Sequence, residues 1–245
     1  MKQLSRVLVI LIVLISFGCE FDSGEQSDDA QLEKGNTRGV LQNLTQGIKF
    51  YYGNLHAHSK YSDGKGKPKD GYKYARDVVG LDFYAVTDHS EQVNWWEWRK
   101  SKSQANDYND NGRFVAIRGF EYSNPLFGHI CVWNSSSYTS AWWHWYIGTF
   151  YKWIDRKNVV AQFNHPGREI LNFMDLHYFR NVSDNMVAIE TGNKGDGNVS
   201  GEFLDYYVEA LDKGWKLAPT NNQDNHSLSI NSHRTVILAY SLTRD

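Results

Sequence analysis

His56-Ala57-His58-Ser59-Lys60-Tyr61-Ser62-Asp63-Gly64 is the stretch from which the rest of the chain is read. It follows Ile48-Lys49-Phe50-Tyr51-Tyr52, an apolar and aromatic run of strand type. The two histidines therefore fall where a strand ends and a polar, glycine-bearing loop begins. Residues i and i+2 of a strand share a face, and two neutral imidazoles on one face can converge on a single cation. Two solvent-facing loop histidines would spell the same letters, so the reading depends on what the remainder of the chain supplies.

Outward from this point, strand-like and helix-like segments alternate without repeats, which predicts parallel strands joined by helical crossovers. Residues 68–79 carry Tyr72, Ala75, Val78 and Val79 at helical spacing and stop at Gly80, and residues 82–87 read as the next strand, with Asp88 and His89 at its C-terminal end. Residues 113–120 deliver Glu121, and 128–133 begin with Gly128-His129. Residues 159–163 lead into Asn164-His165-Pro166-Gly167, 186–189 into Glu190, and 216–219 into the run Asn221 to His226, which holds Asp224. A last strand spans 234–240. Polar residues thus recur at strand C-termini, where barrel enzymes build their sites.

The N-terminus is of another kind. Lys2 and Arg6 precede eleven apolar residues, 7–17, and then Gly18-Cys19, which reads as a signal peptide because a spanning helix needs about twenty apolar residues. A cysteine after a small residue at the cleavage point predicts a lipoprotein, with Cys19 lipidated and the protein exported and anchored to a bacterial membrane on its periplasmic or cell-surface side; ordinary secretion is the alternative. Residues 20–47 are polar and acid-rich, a flexible tether. Residues 48–245 are long enough for one domain with a sizeable core, rich in aromatics, with nine tryptophans in the chain. Without Lys2 and Arg6 the chain has 24 basic against 28 acidic residues, which argues against bulk nucleic-acid binding. Lysines 60, 65, 67, 69 and 73 with Arg76 form a local basic cluster, either a solvated face or a lure for anionic substrate. Of two cysteines only Cys131 lies in the domain, so there is no disulfide framework.

His-x-His with Ser-Asp-Gly, then Thr87-Asp88-His89, Gly119-Phe120-Glu121, Gly128-His129, Asn164-His165-Pro-Gly and Asp224-Asn-His226, in this order, resemble the PHP (polymerase and histidinol phosphatase) superfamily over nearly all of residues 48–245. Flanking words such as Gly80-Leu-Asp-Phe-Tyr-Ala-Val-Thr-Asp-His89 and Asn222-Gln-Asp-Asn-His226 resemble its secreted CehA/McbA-like metallohydrolase branch. The resemblance implies an α/β fold, a distorted (β/α)7 TIM-like barrel of the PHP type, with two or three divalent metal ions at its C-terminal face. It places His56, His58, Glu121 and Asp224 on one metal, Glu121 again with His129 and His165 on a second, and Asp63, His89 and His226 on a third. Histidine and carboxylate without thiolate suit Mn, Fe or Zn. A hydroxide shared between metals would attack a small phosphorylated ester, with Glu121 and His89 central and Asp88 orienting a ligand from behind. Some trinuclear members have histidine where Asp63 stands. Relatives also continue past residue 240 with a helix, so a pared-down domain or a fragment is expected.

Hydrolysis of carboxylic or carbamic esters at the same site, and a non-catalytic surface binding protein on the barrel, are the competing readings. Arg168 is a candidate phosphate clamp, with a surface salt bridge as its plain alternative. Trp95 and Trp96, just after His89, are candidates for stacking a substrate ring, lid packing being the other possibility. Trp142, Tyr146, Phe150 and Trp153 repeat at helical spacing and predict one buried helix. Asp107 to Gly112 begins like a calcium loop, but Arg118 stands where the bidentate glutamate belongs, so a turn is expected.

Overall fold

The computed structural model describes residues 46–193, 203–229 and 232–244. Signal peptide, Cys19 and nearly all of the tether lie outside them. The chain partitions into a larger unit, Phe50–Ile237 with Leu242–Asp245, and a smaller one, Met1–Lys49 with Leu238–Ser241. In the smaller unit Gly47 packs against the Tyr240 ring. Among the described residues no helix is long and apolar enough to cross a membrane.

In chain order the elements are β1 (Lys49–Asn54), α1 (Pro68–Lys73), β2 (Phe83–Val86), α2 (Trp95–Tyr108), β3 (Val115–Asn124), β4 (Gly128–Trp133), α3 (Ile147–Lys157), β5 (Val160–Asn164), β6 (Met186–Asn193), α4 (Leu204–Asp212), β7 (Ala218–Asn222) and β8 (Thr235–Ala239). α1 runs on through a wider turn, Tyr74–Val79, and stops at Gly80, whose left-handed φ of 73° suits glycine. Eight strands form one sheet in the order β7-β6-β5-β4-β3-β2-β1-β8. Its ends approach each other: Asn221 N donates to Thr235 Oγ1 at 3.1 Å, Leu55 N donates to Asn222 Oδ1 at 2.9 Å, and Ala57 bridges to Asn225. The result is a nearly closed, barrel-like sheet of the distorted TIM type.

The sheet has the eight strands read from the sequence, one more than the seven-stranded barrel that the resemblance implies, with β8 beside β1. One expectation changes: the sheet is mixed, with β4 antiparallel to both β3 and β5. Only Pro125, Leu126 and Phe127 separate β3 from β4, too short for the dozen or more residues of a parallel crossover. Asn124 Oδ1 accepts from the amides of Leu126 and Phe127 and fixes this turn.

Period-two alternation sorts the side chains. Leu55, Phe83, Ala85, Val115, Cys131, Trp133 and Ala188 come from different strands yet form one cluster, the barrel interior, where the Trp133 indole N–H donates to Leu55 O at 2.9 Å. On β3, Phe120 and Tyr122 face outward against Phe150 and Trp153 of α3, and Glu121 between them turns the other way. Tyr72 and Ala75 of the α1 region cover Tyr84, Val86 and Phe114.

Burial at α3 begins only at Ile147. Trp142 and Tyr146, expected inside one buried helix, precede it with Trp143 and Trp145 as an exposed loop. Asn172–Leu176 forms a single left-handed turn with φ from 36° to 59°. This is costly for residues with a Cβ, and it is offset by burial of Phe173 and Leu176 and by the Trp215 indole donating to Leu176 O.

Candidate metal centre

β1 and the extended residues after it bring His56 and His58 to the mouth of the barrel, both buried. The His58–Gly64 loop folds back because Asp88, just past β2, accepts from Ser59 N at 2.6 Å, Ser59 Oγ at 2.7 Å and Ser62 Oγ at 2.8 Å. Gly64 permits this return, since a Cβ there would meet His58 O at 2.5 Å. Glu121 arrives from β3, His129 from the start of β4, His165 just after β5, and Asp224 and His226 just after β7. His165 (φ 30°) and Asp224 (φ 46°) both hold left-handed backbone, a strain common at functional sites.

All nine residues proposed as ligands converge. Their ligand atoms fall into overlapping groups, each with members within 4.8 Å of one another: His56, His58 and Asp224; His56, Glu121 and His165; His89, Glu121 and His129; and His58, Asp63, His89 and His226. Glu121 joins two groups. Its Oε1 is 3.2 Å from His56 Nε2, 3.3 Å from His129 Nδ1 and 3.4 Å from His165 Nε2, and its Oε2 is 2.8 Å from His89 Nδ1. Asp224 Oδ1 lies 2.9 Å from His58 Nε2 and 3.4 Å from His56 Nε2. Asp63, 45% exposed, approaches His226 at 3.2 Å and His89 at 3.5 Å.

Electrostatics follow from this crowding. Burial alone would raise the Glu121 carboxyl, yet His56 and His129 hold it well below the usual range. Asp224 is likewise pushed up by burial but held well down by His56 and His58. Burial draws His56 down, but the carboxylates of Glu121, Asp224 and Glu190 outweigh it and its proton is held more tightly than usual. For His58 and His165 burial prevails and both are lowered. The Cys131 thiol, pushed up by burial to about 12, stays protonated beside this cluster and accepts from Asn164 Nδ2 at 3.1 Å.

The residues fit a cation. His56 Nδ1 faces Glu190 Oε1 at 2.9 Å, so one ring N–H belongs there; a second proton sits on Nε2 unless a cation displaces it, which would leave the Nε2 lone pair directed at that cation. That nitrogen faces three further acceptors, Glu121, Asp224 and His58 Nε2, the last at 3.2 Å. His165 Nδ1 is buried without a hydrogen-bond partner.

The fold is shared with a solved protein of Bacteroides vulgatus. That structure, a two-domain protein containing a predicted PHP-like metal-dependent phosphoesterase, matches with a TM-score of 0.59 at 18% identity over 82% of this chain. The chain spans 62% of its length. A putative metal-dependent phosphoesterase of Bifidobacterium adolescentis matches at a TM-score of 0.49 and 12% identity, over 75% of this chain and 92% of that one. Endonuclease Q, in complex with a 27-mer duplex substrate carrying an abasic lesion, matches at 0.40 and 12%, over 74% of this chain and 50% of that one. No family model matches the sequence. An uncharacterized protein of Chlamydia pneumoniae is 31% identical over 74 residues, 29% of this chain and 12% of that protein's length.

Other expected residues fall differently. Asp88 touches none of the clustered imidazoles directly; its carboxylate is taken up by the loop serines, and Ser62 Oγ in turn lies 3.4 Å from His58 Nδ1. Asp88 therefore positions the loop. Arg168 stands at the rim, with Nη2 2.9 Å from His129 Nδ1 and Nε donating to Glu169 Oε1 at 2.5 Å. Trp95 and Trp96 start α2, exposed, with Arg99 stacked on Trp95, and neither lines the cavity that opens beside His89 and His129. Trp142 and Trp145 do.

Sequence reasoning undervalued Glu190 and missed Glu169. Glu190 is fully buried and also accepts from His165 N and Asn193 Nδ2, both at 2.8 Å. Glu169 approaches His129 Nε2 at 3.7 Å and His165 Nδ1 at 3.9 Å. The one signal for Glu190 was its place at a strand end, and for Glu169 its i+4 spacing from His165.

Proposed function

We propose that this protein is a metal-dependent phosphoesterase of the PHP superfamily, in its CehA/McbA-like branch, working at a centre of two or three divalent cations of the Mn, Fe or Zn type. The observation that carries the reading is the acceptor crowd around His56 Nε2, where two carboxylates and a second imidazole meet a ring nitrogen whose partner on the ring is held by Glu190. Acceptors so placed repel unless positive charge stands among them, and a divalent cation would take the place of the proton that His56 otherwise holds there. His56, His58, Asp224 and Glu121 would hold one ion, Glu121, His129 and His165 a second, and Asp63, His89 and His226 a third. When bound, such cations supply an acidified water and positive charge toward the phosphoryl oxygens.

The chain's own residues do the rest. Glu190 fixes the ring of His56; Ser62, donating to Asp88, offers an acceptor to His58 Nδ1 and leaves Nε2 toward the centre. Arg168 at the rim is a fork-shaped donor for a phosphoryl group. Metal analysis of protein purified without chelator, then a turnover panel of aryl phosphates against carboxylic and carbamic esters, tests this. Two or three ions per chain and preference for phosphates are expected; folded, metal-free protein or turnover confined to the other esters overturns it.

Export and lipid anchoring at Cys19 complete the proposal. Cys19→Ser should move the protein from the membrane fraction to a soluble or uncleaved form. Identical fractionation of the two proteins would refute lipidation there.

A further inference from the structure

A cavity of about 330 Å³ opens directly beside the cluster, and His89 and His129 form part of its wall. That is within the size range of small-molecule sites. Glu91, Gln92 and Ser123 line the side near His89, and the rest of the wall is Pro125, Ala141, Trp142 and Trp145, so the lining turns apolar away from the cluster. A group seated here and bonded to a phosphoryl group at the cluster would be the organic part of an ester.

Trp142 is 73% exposed and Trp145 50%, although indole is the largest apolar side chain and gains most from burial. Folding alone does not call for this exposure, and the loop is not loose. Glu91 Oε1 accepts from Ala141 N at 2.6 Å and its Oε2 from Ser123 N at 3.2 Å, tying the loop to β3. Tyr122 OH donates to His144 O at 2.7 Å, Asn124 Nδ2 donates to Trp145 O at 2.8 Å, and Ser140 O accepts from Trp143 N at 3.1 Å. The backbone that carries the two indoles is thus fixed outside the core, at the rim of a cavity shared with the candidate centre. Such preorganisation lowers the ordering cost of binding.

We infer that this cavity is the subsite for the organic part of the substrate and takes an aromatic ring, stacked against Trp142 and Trp145. The inference rests on the phosphoesterase reading for the chemistry of the attached group, but the ring site stands on its own geometry. Aromatic rings gain from indole contact beyond the area they bury, which separates an aryl group from an alkyl group of like size.

Calorimetric titration of metal-loaded protein with phenylphosphonate, cyclohexylphosphonate and methylphosphonate, none of which is hydrolysed as an ester, tests it. Phenylphosphonate should bind about tenfold or more tightly than methylphosphonate and measurably more tightly than cyclohexylphosphonate. W142A, W145A and the double variant should progressively lose that preference and keep their methylphosphonate affinity. The wild-type comparison decides the matter even if a variant does not fold. Equal affinities for phenyl- and methylphosphonate, cyclohexylphosphonate binding as tightly as the phenyl compound, or a preference that survives in a folded double variant would overturn the inference. Tryptophan-dependent binding of benzyl alcohol by protein that takes none of the phosphonates would keep the ring site and remove the phosphoesterase reading instead.

Discussion

His56 has both ring nitrogens committed, Nδ1 to Glu190 and Nε2 to the candidate centre, so the hydrogen bond on one side sets the lone pair on the other. Glu190→Gln keeps the shape but can present its amide N–H to Nδ1, favouring the wrong tautomer. Metal affinity should fall about 10–100-fold, as for other residues that orient ligands from behind; an unchanged dissociation constant by competitive chelator titration would show that Glu190 only packs. Asp63 poses the opposite question, being partly exposed. Burial tends to raise its carboxyl, but His89, His226 and His58 hold it below the usual range, as a ligand beside imidazoles would be. Asp63→Asn should lower metal content from about three to about two per chain, because a neutral amide is a poor ligand for such cations. Unchanged content would reduce Asp63 to a turn residue. All nine clustered residues were legible because each sits in a short word at a strand end. Glu190 and Glu169 were not, since a lone glutamate gives no hint of which histidine it will face. Asp88 was legible as an outer carboxylate, but its serine partners were not.

At the scale of elements, every strand was anticipated to within a few residues because apolar runs bounded by polar words mark them. The β3–β4 hairpin was not read from the sequence, although the short spacing between Glu121 and His129 leaves no room for a crossover. α2 went unread because its surface is mostly charged and polar, although Asn94 and Glu97 form the capping box that signals its start. The Trp142–Tyr146 stretch misled for the reverse reason, since helical spacing of aromatics promises burial only where the helix exists. β1 and β2 carry a constraint of their own. A Cβ on Gly53 would lie 2.2 Å from Phe83 O and 2.4 Å from its ring, so the two strands approach too closely for any side chain. Gly53→Ala should destabilise the fold by about 1–3 kcal/mol, the usual cost of overpacking. A denaturation midpoint equal to wild type would show that the strands can separate freely.

For the whole molecule, the centre gathers acidic and imidazole groups from β1 to β7, and cations that bind only the folded state must stabilise it. At a free metal concentration about a thousand times the dissociation constant, one site contributes about 4 kcal/mol, or roughly 10 °C in Tm for a domain of this size. Melting with excess Mn or Zn and again with chelator checks this; coincident curves would mean that the cluster takes no ion in the folded state. The meeting of the two sheet ends, where Leu55 bonds Asn222 and Ala57 bridges to Asn225, also orders events in time. A chain synthesised from its N-terminus offers His56 and His58 early, but the carboxylate that faces them, Asp224, emerges some 170 residues later. The nest around His56 and His58 therefore stays incomplete on the ribosome until the seventh strand has been made, although Glu121, His129 and His165 have all emerged just after the fifth. An ion at that nest would be chosen from the pool that surrounds the nearly finished chain as it folds, and supply in that compartment, as much as ligand chemistry, would decide which element it is.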